Sequence, residues 1–288
     1  MVNPIYLIAA GLGGAFTLGL LRDQWRAAGY TITLGVLAFT SWIAASWVIA
    51  LASGSASTVE IITAGTQPPF AVNLRLGLAE AVLVLLMNLT GLLSALYLRD
   101  TLFKQGRRAM AVLLIFSMAL SGIVMTRDLF NLFVFFELAV ISTGGLILLS
   151  RDERALGAGF KYLIASQVIS VLLLVGIIFS YHATGTLNID DIVASRALIS
   201  GPIGFVALLL LLTSLLIELK PFPANGWGLD VYETAPGGIA SLISVGVSGG
   251  VLFALFKLLP LLEGFVTSIA VVGGLTFLIS NLIGLKQD

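Results

Sequence analysis

Apolar residues run along this chain in blocks of about twenty, broken by short polar stretches, and within a block they are continuous rather than alternating. A helix needs about 20 apolar residues to cross the hydrocarbon core of a bilayer. Nine segments qualify: 4–21, 30–51, 76–98, 108–126, 129–149, 156–181, 203–229, 237–259 and 263–285. Backbone groups in lipid must find their hydrogen bonds within the protein, so only helices and closed barrels span. Barrel strands alternate apolar and polar positions, which these runs do not. The pattern predicts an all-α integral membrane protein of about nine transmembrane helices. The opening Met1-Val2-Asn3-Pro4 lacks the basic stretch of a secretory signal, so the first apolar run is expected to be a retained span. Only 52–75 and 182–201 are connections long enough for a small hairpin or a surface helix, and no soluble domain is expected.

Basic residues in the loops orient the spans. Loops after odd-numbered spans carry Arg22 and Arg26, then Arg99, Lys104, Arg107 and Arg108, then Arg151, Arg154 and the nearby Lys161, with Lys286 after the ninth. The opposite loops hold Arg75, Arg127, Arg196 and, at a helix end, Lys257. This bias predicts the N-terminus outside and the C-terminus in the cytoplasm.

Composition narrows the function. Hydrophobic residues make up 58% of the chain and charged residues 10%, against roughly a quarter charged in a soluble domain. The formal net charge is zero, so no basic field points to nucleic acid. Without cysteine the chain forms no disulfide, thiolate metal site or iron–sulfur ligation of its own. His182 is the single histidine and is given no catalytic role. No GxGxxG before a helix, P-loop or HExxH is present. No catalytic centre, metal or cofactor is therefore expected in this chain.

The informative residues are charges placed where lipid should be. An ionisable group inside a bilayer costs several kcal/mol and normally faces a partner or a wet path. Glu137 lies near the middle of span 5, Lys220 deep in span 7 with Glu218 two residues before it, Lys161 about one turn inside span 6, and Glu80 in the first turns of span 3. Glu80 and Lys161 are close enough to a membrane face to snorkel. Glu137 and Lys220 are too deep for that, leaving a proton relay or a structural ion pair. On a continuous helix Glu218 and Lys220 stand roughly 200° apart, which predicts that they do not face one site. Lys257, near Pro260, reads as an interfacial anchor. Pro221 and Pro223 follow Lys220 directly. Proline removes a donor and pushes its predecessor out of helical angles, so span 7 should break just after its lysine. Broken helices that present charges at membrane depth are a device of ion transporters. Burial destabilises the charged form of either a lysine or a carboxylate, so moving such a pair together or apart captures or releases a proton without covalent chemistry.

These residues carry a resemblance. Asp128-Leu-Phe-Asn-Leu-Phe-Val-Phe-Phe-Glu137 resembles the glutamate-bearing span of the antiporter-like subunits of respiratory complex I, a superfamily that includes Mrp cation/proton antiporters and energy-converting hydrogenases. Gly159-Phe-Lys161-Tyr-Leu is similar to its span-6 lysine segment. Glu218-Leu-Lys220-Pro-Phe-Pro-Ala-Asn-Gly-Trp227-Gly-Leu-Asp230, with Ala235-Pro236 after it, resembles its Lys-x-Pro-x-x-Pro-x-His-x-Trp-Leu-Pro-Asp signature. The match covers about 108–286; spans 1–3 fit by hydropathy and position only. The resemblance implies a proton relay of Glu137, its partner Lys220, and Lys161, with Glu218, Asp230 and Trp227 as secondary residues. It implies three parts: helices at 1–107, a channel repeat at 108–260, and one helix of a second repeat at 261–288. It further implies an energy-transducing inner membrane, protons or Na⁺ as the transported ion, and lipid and other membrane subunits as partners, one continuing the channel beside the ninth helix. Three departures stand out. Ala224 replaces the usual histidine, Gly249 falls where relatives carry a central span-8 lysine, and Leu285-Lys-Gln-Asp288 ends the chain where relatives continue, which predicts a half-channel. Three roles stay open: a subunit of a redox-driven complex, a subunit of an Mrp-type antiporter, or a non-conducting structural subunit.

Overall fold

The predicted apolar blocks are helical, and the block at 203–229 is interrupted. The structure, a computed structural model, describes residues 1–62, 65, 71–150 and 153–285. Arg151 and Lys286, used above for orientation, lie outside the described residues. The first two helices are α1 (Tyr6–Leu20) and α2 (Arg26–Ala52), followed by a two-stranded antiparallel ribbon of β1 (Val59–Ile62) and β2 (Asn73–Leu76). Next come α3 (Leu78–Tyr97), the short α4 (Arg99–Gln105), α5 (Arg107–Met125), α6 (Leu129–Ile147) and the long α7 (Glu153–Thr184). A surface helix α8 (Ile189–Ala194) precedes α9 (Pro202–Glu218), α10 (Gly226–Thr234) and α11 (Gly237–Leu242). A π-helical segment (Ile243–Ser248) leads into α12 (Gly249–Leu258), and α13 (Val266–Gly284) closes the described chain.

Among the described residues, seven helices are long and apolar enough to cross a membrane, while α1 and α9 are shorter apolar helices. At 17 residues α9 reaches about 25 Å, short of a ~30 Å hydrocarbon core. Regular helix stops at Glu218, two residues before Lys220 rather than just after it, and resumes at Gly226. One connection differs from a plain loop reading. Residues 99–105 form α4, which has Asp100 in its first turn and Lys104 in its last, the arrangement that complements a helix dipole. The connection at 52–75 holds the ribbon, the small hairpin its length allows, so the fold is mostly rather than wholly helical.

Side-chain contacts define two faces of the bundle. On one, Arg107 bonds Asp23 at 2.6 Å, Arg26 donates to the Phe103 carbonyl at 3.0 Å, and Gln105 donates to the Leu149 carbonyl at 2.8 Å. We call this the basic face. On the other, isolated bridges join Leu74 to Thr126 and Asp128 to Asn188, and Asn188 donates to Asn73 at 2.8 Å. This hairpin face ties the ribbon, the α5–α6 junction and the approach to α8 into one layer. The core centres on α5, whose Met110, Leu113, Leu114 and Phe116 are fully enclosed. Small residues let neighbours approach it: a Cβ added at Gly11 of α1 would stand 2.7 Å from Met118 Cβ. By contrast, α13 buries none of its residues.

Candidate functional site

The site is organised along α7. Its Ser166, Gln167 and Ser170 lie within about 6 Å of rise and face acidic groups on two different helices. Gln167 Nε2 donates to Glu137 Oε2 at 3.1 Å, and Ser170 Oγ donates to Glu137 Oε1. Glu137 reaches this position from α6, whose start is fixed by Asp128: its side chain accepts from the Asn131 N–H at 2.7 Å, an N-cap. One turn back along α7, the Ser166 hydroxyl lies 3.5 Å from Glu218 Oε2 at the end of α9.

Glu218 is fully buried and its Oε1 stands 3.6 Å from Lys220 Nζ. This corrects the expectation that the two residues face apart. The 200° separation holds only on a continuous helix, and α9 has already ended. As a residue preceding proline, Lys220 is disfavoured in right-handed helical angles, and it takes φ 57°, the left-handed region, which costs a non-glycine residue roughly 1–2 kcal/mol. That turn swings the side chain back: Nζ donates to the Glu218 carbonyl at 2.9 Å and lies 5.1 Å from the centre of the Trp227 ring. Gly228 makes room for the stem, since a Cβ there would stand 2.5 Å from Lys220 Cδ. The freed N–H of Phe222, between Pro221 and Pro223, donates to Thr276 Oγ1 of α13 at 3.2 Å. Among the described residues, no ion pair within 4 Å joins Glu137 to Lys220; the α7 serines and Gln167 stand between them.

Lys161 sits nearer the basic face, exposed, and its Nζ meets Asp230 Oδ2 of α10 at 2.7 Å. Trp227, also on α10, packs its ring 5.6 Å from that of the fully buried Tyr162. Lys161–Asp230, Trp227–Lys220–Glu218 and Ser170–Glu137 therefore succeed one another from the basic face toward the middle of α7. Ala224 lies in the turn between α9 and α10. Where the resemblance places a lysine in span 8, a Cβ on Gly249 would meet only the Met87 methyl, at 3.8 Å.

A second group of charges sits at the hairpin face, and the sequence pattern does not announce it as a group. Arg127 makes a two-pronged pair with Asp190 through Nε, at 2.9 Å, and Nη2. Arg75 reaches Glu80 at 3.5 Å and Asp190 at 3.9 Å. Glu80 is buried and accepts from the Gly77 N–H at 3.1 Å, so it caps α3 instead of snorkelling. Lys257 is buried as well, not an interfacial anchor: Nζ donates to the carbonyls of Ile123 at 2.8 Å, Val124 at 3.3 Å and Thr126 at 2.8 Å. The sequence held one signal, because α5 ends without a basic residue in its last turn to cap its free carbonyls. Among the described residues, no cluster of three or more His, Asp or Glu side chains could hold a metal ion.

A helical bundle with a broken helix, a buried Glu–Lys pair and further ionisable groups strung along a neighbouring helix defines a multi-pass membrane protein of the antiporter-like class. The family described as NADH:quinone oxidoreductase/Mrp antiporter matches residues 126–288, and this chain belongs to it. The chain is 30% identical over 185 residues to NADH-quinone oxidoreductase subunit N of Rubrobacter xylanophilus, covering 61% of this chain and 38% of that protein. It is 31% identical over 202 residues to a Na(+)/H(+) antiporter subunit of Bacillus subtilis, covering 69% of this chain and 41% of the other. Among solved structures, a chain of the membrane-bound sulfane sulfur reductase, an archaeal respiratory membrane complex, superposes with a TM-score of 0.82 at 27% identity, covering 90% of this chain and 54% of that one. The chain thus spans about half the length of these relatives, or less.

Proposed function

We propose that this chain is an ion-translocating membrane subunit of a multisubunit complex, moving protons or Na⁺ and driven by redox chemistry carried on other subunits. One observation carries the reading: ionisable side chains and hydroxyls succeed one another along α7, and the facing helix breaks at its buried Glu–Lys pair. In this reading the relay is Lys161–Asp230, Lys220–Glu218 with Trp227 over the ammonium, and Glu137. When the Lys220 ammonium gives up its proton, Glu218 loses its counter-charge and becomes the group that takes one up. Ser166 and Ser170, one turn apart, offer hydroxyls between Glu218 and Glu137. The Mrp-type reading is supported by the likeness to the Bacillus subtilis antiporter protein, and the polypeptides that copurify with the chain decide between the two.

The same proposal includes nine spans, counting α1 and the α9–α10 pair, with the basic face cytoplasmic in an energy-transducing inner membrane. Residues 108–260 form the conducting repeat, 1–107 a supporting set of helices, and 261–288 a helix packing beside a further membrane polypeptide. The uncovered α13 supports this last point. Glu137→Gln keeps the hydrogen-bonding shape and removes the titratable group, so ion transport by the assembled complex should fall about tenfold or more while its yield is unchanged. Full transport by that variant overturns the relay. A cysteine at Lys104 should react with an impermeant reagent from the cytoplasm and one at Ser57 from outside; the reverse overturns the orientation.

A further inference from the structure

Lys257 carries chemistry that the relay along α7 leaves unused. The residue lines a cleft of about 780 Å³ at the hairpin face, together with Arg75, Glu80, Arg127 and Glu263. The charged groups around it come from five segments: Arg75 from β2, Glu80 from α3, Arg127 from the α5–α6 junction, Asp190 from α8, and Glu263 from the turn after α12. Both guanidiniums are engaged with carboxylates, Arg127 with Asp190 and Arg75 with Glu80 and Asp190. Lys257 differs, in that its hydrogen-bond partners are three neutral carbonyls at the end of α5. An ammonium held by neutral acceptors can lose a proton without stranding a paired carboxylate; the amine that remains still donates two of its three hydrogen bonds. Glu80, which lines the same cleft, is a carboxylate that can receive the proton or return it. Lys257 also stands on the span whose middle lacks an ionisable group at Gly249, eight residues or about 12 Å farther toward the hairpin face.

We infer that Lys257 and Glu80 form a second proton-exchanging station, through which the translocated proton passes between span 8 and the water at the hairpin face. The inference rests on the proposed function and adds a residue pair and a side to it. A purely structural lysine, present only to cap α5, makes the opposite prediction for one variant. Lys257→Arg retains the charge and the donors that a cap needs, but a guanidinium cannot be deprotonated in a protein.

The test uses the complex that copurifies with the tagged full-length chain, reconstituted in liposomes. A K⁺ potential set with valinomycin drives proton uptake, read by internal pyranine. Lys257→Arg should assemble and lower uptake by about tenfold or more, and Glu80→Gln, which still accepts from Gly77, should lower it severalfold. Wild-type uptake by assembled Lys257→Arg overturns the inference. Should that variant not assemble, Glu80→Gln decides alone, and unchanged uptake overturns the inference. Glu137→Gln, measured in parallel, separates the two readings. If it blocks uptake while Lys257→Arg does not, only the second station fails. If both variants conduct normally, the proposed function fails with it.

Discussion

Two groups of charge, one buried and one partly so, stand on opposite halves of the bundle, and the protein holds them by different means. Near the middle, Glu218 and Lys220 belong to one short stretch of chain and meet because the backbone between them leaves the helix. At the hairpin face, Arg75, Arg127, Asp190 and Lys257 come from segments far apart in sequence, and their partners are one another and the carbonyls of α5. The first group depends on a local break and can be rearranged by turning a few backbone angles. The second is a clasp across four segments, and rearranging it means separating them. Charges that must change partners suit the first arrangement; charges that hold a layer together suit the second, with Lys257, whose partners are neutral, standing between the two.

Stability measurements can break this contrast. The largest effect is expected from Lys220→Ala, which leaves a fully enclosed carboxylate without its partner; removing one member of a buried pair costs roughly 3–5 kcal/mol. Thermal unfolding of the purified complex should show this loss, and adding Glu218→Gln should recover most of it. A loss that persists in the double variant means that the pair is not what the break protects.

Asp190→Asn should cost less, about 2 kcal/mol, because the aspartate is partly exposed and solvent screens the pair. Its pH dependence sharpens the test. Burial alone would push the Asp190 carboxyl up, but the hydrogen bonds and charge of Arg127, aided by Arg75, outweigh burial and hold it below its ordinary value. A carboxyl lowered by folding stabilises the fold above its unfolded value, about 3.9, and the contribution is lost as pH falls through the lower folded value. Unfolding curves of the wild type and Asp190→Asn should therefore be separated near neutral pH and converge below about pH 4. Curves that stay parallel throughout the acid range would show that the clasp does not depend on this charge.

Gly228→Ala should cost about 1 kcal/mol, since the flexible Lys220 stem can move aside from the new methyl. Its larger consequence should be on ion transport, because the displaced ammonium no longer sits between Glu218 and Trp227. Lys161→Ala should be the mildest, within about 1 kcal/mol, as expected for an exposed ion pair. A larger loss there would place Lys161 with the buried group.

These residues also mark how far the chain can be read from its sequence. The spans are legible because lipid demands about twenty apolar residues of each. That the chain leaves the helix near Lys220 is legible because proline acts on its immediate neighbours, but the stop at Glu218 is not. The Glu218–Lys220 contact is not, since helical angles cannot be carried past the point where the helix ends. The burial of Lys257 is nearly hidden for another reason: its partners are backbone carbonyls at the end of α5, signalled only by the lack of a basic residue in the last turn of that helix. The contacts of Ser166 and Ser170 with Glu218 and Glu137 are equally silent, because hydroxyls in apolar helices usually bond their own backbone, as Ser180 does with the Gly176 carbonyl at 2.8 Å.

The length of α7 has a consequence for the lipid around it. Its 32 residues make a rod of about 48 Å, well beyond a ~30 Å hydrocarbon core. A helix longer than the bilayer is thick tilts or protrudes. Lys161, Ser166, Gln167 and Ser170 are all fixed to this rod, so their depths are linked and change together with its tilt. Thinner bilayers bring Lys161–Asp230 toward the headgroups, whereas the Ser170–Glu137 contact is internal to the packed pair of helices and keeps its geometry. Acyl-chain length thus acts on the approach to the polar line and leaves its interior alone, which makes membrane thickness a control variable for the rim.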